Sequence, residues 1–246
     1  MSSHRPELHI TAQHGVLEAP AGALFTGEQW HVFHQYRSQP DVKKNNWGHV
    51  VSADTPFNWV HRDDVLSAEA PEVQVRAGSV VAPRCGDEAE LFFTSVTDEG
   101  PSIHRALLTN LSGPQSDVRR EGSVVDAPVL GLDKPQDFRS PCVVPGWADE
   151  DDRSEGHGGW LMLAVAGPMS APELVMLSSH DQQSWTLDGP LAFHGDSGLA
   201  HHPILVSPRI IRLRDEVDGH VYDVLIVTVE ADGVDLSGYL VGTLRG

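Results

Sequence analysis

The groups in this chain that could do chemistry are carboxylates, histidines and two thiols, and their spacing eliminates most of them. The densest acidic run, Asp149-Glu150-Asp151-Asp152, lacks the Gly-centred alternation of oxygen ligands that holds calcium, so it reads as a solvated loop. His201-His202 has no third ligand spaced to complete a zinc tetrahedron. Cys85 and Cys142 lie in unrelated segments without metal spacing and read as buried, unreactive thiols. No metal and no cofactor is expected. What remains is Glu18, set in the run His14-Gly15-Val16-Leu17-Glu18-Ala19-Pro20-Ala21-Gly22, where Gly15, Pro20 and Gly22 bend or fix the backbone.

Directly after that run, apolar and aromatic residues alternate with polar ones on both sides of Thr26-Gly27-Glu28, out to Gln35-Tyr36. That period of two marks a pair of half-buried strands joined by a tight turn. The sequence therefore predicts a loop over 14–22, held at a strand's mouth, and a hairpin over 23–36.

The rest of the chain repeats this style, with short strands punctuated by Gly, Pro and Asp and no convincing amphipathic helix. Four blade-like units are recognisable, about 23–62, 75–130, 137–193 and 202–246. Ser52-Ala53-Asp54 leading to Trp59, and Ser179-His180-Asp181 leading to Trp185, each close an Asx-type turn that brings a Trp over an outer hairpin. The expected fold is a single all-β propeller over 1–246.

Composition narrows the partners. With 35 acidic against 17 basic residues the net charge is −18, which repels phosphate backbones and anionic headgroups. Neither nucleic acid nor a membrane surface is an expected partner. No apolar run approaches the roughly 20 residues that span a bilayer, and Met1-Ser2-Ser3-His4-Arg5-Pro6 lacks the plan of a signal peptide, so a cytoplasmic location is expected.

Motifs in all four units resemble glycoside hydrolase family 32, the invertase, levanase and inulinase group. Gly15, Pro20, Gly22, the hairpin and Gln35-Tyr36 match the family's opening W-M-N-D-P-N-G and H-L-F-Y-Q-Y frame. Trp47-Gly48-His49-Val50-Val51-Ser52-Ala53-Asp54 resembles W-G-H-A-x-S-x-D, and Ala77-Gly78-Ser79-Val80 resembles S-G-S-A. Asp137-Phe138-Arg139-Ser140-Pro141 resembles D-F-R-D-P, and Val206-Ser207-Pro208-Arg209 resembles E-C-P-D.

The resemblance implies a five-bladed propeller with a sugar pocket, and it places the family's three catalytic carboxylates on Ala19, Ser140 and Val206. A retaining glycosidase needs a carboxylate nucleophile and a second carboxylate about 5 Å away. Ala, Ser and Val supply neither at neutral pH. Glu18 and Asp137 are the possible substitutes. Gln35, Trp47, Ser79 and Arg139 match family positions lining the sugar subsite; the plainer alternative puts Trp47 in a blade core and Arg139 against a remaining acid.

The expected function is therefore a catalytically degenerate propeller that binds a fructose-containing saccharide or serves assembly. The alternatives are an active β-fructosidase with relocated carboxylates, and a purely structural or regulatory oligomer. Only 37 residues follow Arg209, which leaves the fifth blade incomplete or missing. An unclosed ring exposes blade faces and strand edges, so a homodimer is the expected assembly.

Overall fold

A computed structural model describes residues 9–52, 58–82, 87–113, 115–125, 138–146, 158–168, 170–198 and 205–245. Asp54, Cys85, Asp137, the 149–152 acidic run and His201-His202 lie outside them. Among the described residues every regular element is a strand, so no helix there is long and apolar enough to cross a membrane.

The strands form four antiparallel sheets, each a meander in chain order, which is the construction of a propeller blade. The first contains β1 (Val16–Phe25), β2 (Trp30–Arg37), β3 (Asn46–Ser52) and β4 (Val60–His61), with β5 (Leu66–Ser67) also paired to β3. The second runs through β6 (Gln74–Val81), β7 (Glu88–Thr97), β8 (Gly100–Thr109) and β9 (Asp117–Ser123). The third comprises β10 (Arg139–Pro145), β11 (Trp160–Ala166), β12 (Glu173–Ser179) and β13 (Thr186–Pro190). The fourth has β14 (Leu205–Arg214), β15 (Val221–Ala231) and β16 (Val234–Gly242). No fifth sheet is present among the described residues.

The first sheet begins earlier than the sequence pattern predicts. β1 starts at Val16, so the Gly- and Pro-rich run read as a loop is itself a strand paired to β2. It breaks register twice, between Leu17 and Ala19 and between Pro20 and Gly22. Breaker residues mark bulges here, since a bulge tolerates a residue that cannot feed the hydrogen-bond ladder.

The same interruption recurs in the first strand of every sheet: Arg76/Ser79 in β6, Arg139/Cys142 in β10 and Val206/Arg209 in β14. At the last two, Ser140 and Ser207 take left-handed φ values of 58° and 48°, and each precedes a proline. Such backbone is uncommon for residues with a Cβ and persists only where surrounding structure holds it.

The chain packs as two compact units, residues 1–100 with 104–122, and residues 101–103 with 123–246. In the first, Ala21, Phe33, Trp47, Val75, Leu91, Phe93 and Leu108 form a continuous core. Trp47 has no exposed surface and meets Phe93 edge-on, with ring centroids 6.4 Å apart and planes at 73°. Gly22 is needed by proximity: a Cβ there would lie 2.7 Å from the Val80 side chain, so β1 and β6 approach too closely for any larger residue. In the second unit the core joins Cys142, Leu163, Val165, Met176, Ile210, Leu225 and Val227, bringing β10 against β14. Cys142 is buried and unpaired, and burial pushes its thiol pKa up, which makes it an inert packing residue.

The Ser-x-Asp turn at 179–185 forms through side-chain acceptors. Asp181 Oδ1 accepts from the backbone N–H of Gln183 (2.9 Å) and Ser184 (2.8 Å), and Ser179 Oγ accepts from Gln182 N (2.9 Å). Those bonds hold the Asp181 carboxyl below its ordinary pKa. Trp185 then closes the turn by donating Nε1–H to the Gln182 carbonyl at 3.1 Å.

Because Trp47 fills the centre of the first unit's core, Trp47→Ala is expected to cost about 3–5 kcal/mol. Guanidinium denaturation at neutral pH measures it; a loss under about 1 kcal/mol, as for an exposed side chain, would show that the ring is not a core residue.

Candidate functional site

The site is built on the bulge in β1. Leu17 faces Tyr36 and Ala19 faces Gln35, so Glu18 is the extra residue with no partner across the ladder. A bulge re-aims the side chain it inserts. Here the Glu18 carboxylate meets three nitrogen donors: Gln35 Nε2 and Asn45 Nδ2 donate to Oε2, while Arg37 Nε donates to Oε1.

Local structure explains why those donors converge. Gln35 and Arg37 stand two residues apart on β2 and so project from the same face of the strand. Asn45, buried, immediately precedes β3. Gln35 does double duty, since its Oε1 accepts the backbone N–H of Ala77 on β6 at 2.6 Å and ties the first sheet to the second. Arg37 is anchored by Nη1 donating to the Pro40 carbonyl at 2.6 Å. Arg76 on β6 lies within electrostatic reach of Glu18 and donates Nε–H to Gln74 Oε1 at 3.0 Å.

What this arrangement can do follows from its lone pairs. Both oxygens of Glu18 are engaged by amide and guanidinium groups, and charge-assisted contacts of that kind are stronger than neutral ones. A nucleophile has to present a free lone pair to carbon, and a general acid has to carry a proton. Glu18 is instead an acceptor locked between two strands and a loop, with amide and guanidinium groups around it whose remaining N–H bonds suit hydroxyls.

The positions that the family frame assigns to catalysis all fall at bulges. Ala19 is half-buried at the β1 bulge and packs its methyl against the first unit's core. Ser140 lies inside the β10 interruption, and Val206 is the last residue paired before the β14 interruption. Among the subsite residues, Ser79 is buried and pairs with Phe92 immediately after the β6 bulge. Gly78 beside it has no room for a side chain, because a Cβ would sit 1.9 Å from the Phe92 carbonyl oxygen. Arg139 is buried and donates Nη1–H to the Gly167 carbonyl at 2.5 Å. Trp47 is in the core described above, and Gln35 is joined to Glu18.

Sequence reasoning missed Arg37 and Asn45. The signal for Arg37 was its i+2 spacing from Gln35, which places both on one face. Asn45 carried none, because it lies outside the alternating pattern and is brought in by the turn before β3.

A sequence profile described as "Glycosyl hydrolases family 32 N-terminal domain" matches residues 9–245. The chain is 27% identical over 256 residues to a sucrose-6-phosphate hydrolase of Bacillus subtilis, covering 98% of this chain and 49% of that protein. It is 25% identical over 265 residues to an invertase of Schizosaccharomyces pombe, covering 100% of this chain and 42% of that one. The chain thus spans no more than about half the length of these relatives. Among solved structures, the β-fructofuranosidase of Schwanniomyces occidentalis complexed with fructosyl-erythritol superposes with a TM-score of 0.76 at 18% identity, covering 98% of this chain and 46% of that one. The fructan 1-exohydrolase IIa of Cichorium intybus superposes with a TM-score of 0.74 at 20% identity, covering 99% and 45%. These superpositions establish the propeller fold of the four sheets.

Proposed function

We propose that this chain, which belongs to glycosyl hydrolase family 32, is a catalytically silent member that binds a fructose-containing saccharide. The observation that supports this reading is the state of the bulges. The backbone device that re-aims catalytic side chains is kept in all four first strands, while its positions hold Ala19, Ser140 and Val206. Loss of one member of a cooperating catalytic set already costs several orders of magnitude in rate, and further losses overlap with it.

Polar recognition has fared better than chemistry. Gln35, Asn45 and Arg37 surround Glu18 with N–H groups able to meet sugar hydroxyls. A similar fold in the Schwanniomyces occidentalis enzyme holds fructosyl-erythritol, which supports a fructoside as the ligand class. The competing reading, hydrolysis by relocated carboxylates, needs Glu18 or Asp137 to act. Against it, Glu18 is already engaged through both oxygens.

Assembly is a second reading, favoured by the fourth sheet. On β14 and β16 Leu213, Tyr239 and Val241 are 52%, 72% and 58% exposed and line one hollow with Ile211, Val224 and Ile226. β16 is also an edge strand, with one row of backbone groups left unpaired by the sheet. We infer that a second copy of this chain covers this face, burying apolar patches on the order of several hundred Å².

Purified protein is expected to release no fructose from sucrose, levan or inulin above a blank over long incubation. Turnover abolished by Glu18→Gln would overturn that expectation and support relocated carboxylates. Calorimetry with short fructosides should find weak binding, in the high micromolar to millimolar range. Asn45→Ala should weaken it at least several-fold with the circular dichroism unchanged; affinity that survives would place the ligand elsewhere. Light scattering at micromolar concentration should report a dimer that tightens with added salt, because the charge of −18 on each copy is then screened. Tyr239→Glu should return it to monomer; a wild type that is already monomeric in high salt would refute assembly through this face.

A further inference from the structure

The first sheet contains an unusual set of buried bases away from the Glu18 cluster. His31 and His49 are almost wholly buried, and their rings are joined by one hydrogen bond, Nδ1 to Nε2, of 3.0 Å. In the register, His49 faces Phe33 and His31 stands two residues along β2, so all three side chains lie on one face of the sheet. The Phe33 and His49 rings stack at 4.5 Å with 11° between planes. His34 is buried on the opposite face, its ring over Gly48, where a Cβ would come within 2.8 Å of the imidazole. Neither His31 Nε2, His34 Nδ1 nor His49 Nδ1 has a hydrogen-bond partner among the described residues.

A hydrogen bond between two imidazoles requires one ring nitrogen to keep a lone pair. Adding a proton to the accepting ring turns both into donors and destroys the bond. It also buries a charge with nothing to pair it, which is among the most costly events in a protein interior.

The surrounding charges do little to help a cation. Arg62, after β4, opposes one on His31 and His49, and His31 and His34 oppose one on His49. His61 on β4 opposes one on His34, whose ring also lies 6.0 Å from the Tyr36 ring. Tyr36 directs its hydroxyl to Asp64 instead, at 2.6 Å. Asp87, just ahead of β7, favours a cation on His31. β1 and β6, which pack on β2, carry Glu18 and Arg76 as their charged residues, and these act on each other. β5, packed on β3, carries none.

We propose that this sheet is a built-in acid-release element: its imidazoles on both faces hold β2 and β3 together only while uncharged, and mildly acidic solution opens this sheet before the sheets of the second unit. Burial lowers all three histidine pKa values, His34 to about 4 and His49 to about 3. A folded-state pKa below the unfolded value of about 6.5 means that the open chain binds protons more readily. The stability supplied by neutral burial is therefore complete above about pH 6.5 and declines as the pH falls through that value. Carboxylates of ordinary pKa begin to titrate nearer pH 4, and Asp64, whose carboxyl burial pushes up, binds its proton more readily in the folded sheet and so opposes the histidines rather than adding to their effect. The sheets of the second unit have no buried histidine among their described residues.

Hydrogen exchange on the full chain tests this without any variant. Between about pH 6.5 and pH 4.5, protection of the Val32 and Val50 amides, corrected for the intrinsic rate, should fall by roughly 30- to 50-fold for each of His34 and His49. Protection of Leu163 and Met176, on β11 and β12, should hold over the same range. Equal loss in both units, or undiminished protection of β2 and β3 at pH 4.5, would refute the proposal. His34→Gln should remove one such factor from the pH dependence. If that variant does not fold, proton titration of the wild-type rings decides: resonances that titrate near the ordinary value while the sheet stays intact would overturn it.

Discussion

Everything in this structure depends on interrupting the ladder between the first and second strands of each sheet, twice in β1 and once in β6, β10 and β14. A strand's side chains alternate strictly, so an uninterrupted ladder sends every other residue to the same face along its whole length. Skipping residues on one side resets that alternation and lets a strand serve the core at one end and a site at the other. Residues that weaken or bend a ladder stand at or beside each interruption: Pro20, in register with His34 just before the second shift of β1, Pro141 and Pro208 inside those of β10 and β14, and Gly78 inside that of β6. A proline donates no N–H, which costs nothing where the ladder is already broken and a good deal elsewhere.

That constraint is independent of the chemistry it serves. The Ser-Pro interruptions in β10 and β14 keep Ser140 and Ser207 left-handed, and the family resemblance puts its catalytic carboxylates at Ser140 and at Val206 beside Ser207, where this sequence has none. Both interruptions lie beside one packed contact, the Cys142 thiol against the Ile210 backbone. A reactive side chain projecting from a bulge contributes little to that contact. Sheets assembled this way can lose carboxylates and keep their shape, and polar residues that also bridge strands persist for structural reasons. Gln35 is such a residue, bound at once to Ala77 and to Glu18.

The fold was legible in the sequence because its signal is periodic: alternation around Thr26-Gly27-Glu28, and the Ser-x-Asp turn at Ser179-His180-Asp181, report the faces and ends of strands directly. The start of β1 was not legible, since Gly15, Pro20 and Gly22 break local structure in most settings and mark bulges only when a partner strand continues opposite them. The site was half legible. Motif spacing located Ala19, Ser140 and Val206 at the interruptions, yet nothing in it could reveal that Glu18 is claimed by Arg37 and Asn45, because those contacts depend on the exact slip of one strand past another. The histidine set was hidden for a related reason. His31, His34 and His49 look like polar positions in amphipathic strands, and only the burial of both faces makes them bases without water.

The two polar centres of the first sheet meet on one strand. β2 presents His31 and His34 to the buried interior, and a few residues later Gln35 and Arg37 to Glu18. Strand pairing is cooperative over such a distance, so what loosens β2 at the histidines loosens the donors that hold the carboxylate. Linkage runs both ways. Any ligand that prefers the ordered Gln35, Arg37 and Asn45 stabilises the paired sheet by an amount set by its concentration and affinity. It thereby resists protonation of rings it never touches. Any ligand that takes up those donors and a proton bound in the blade interior would thus oppose each other on one strand, coupled through its pairing.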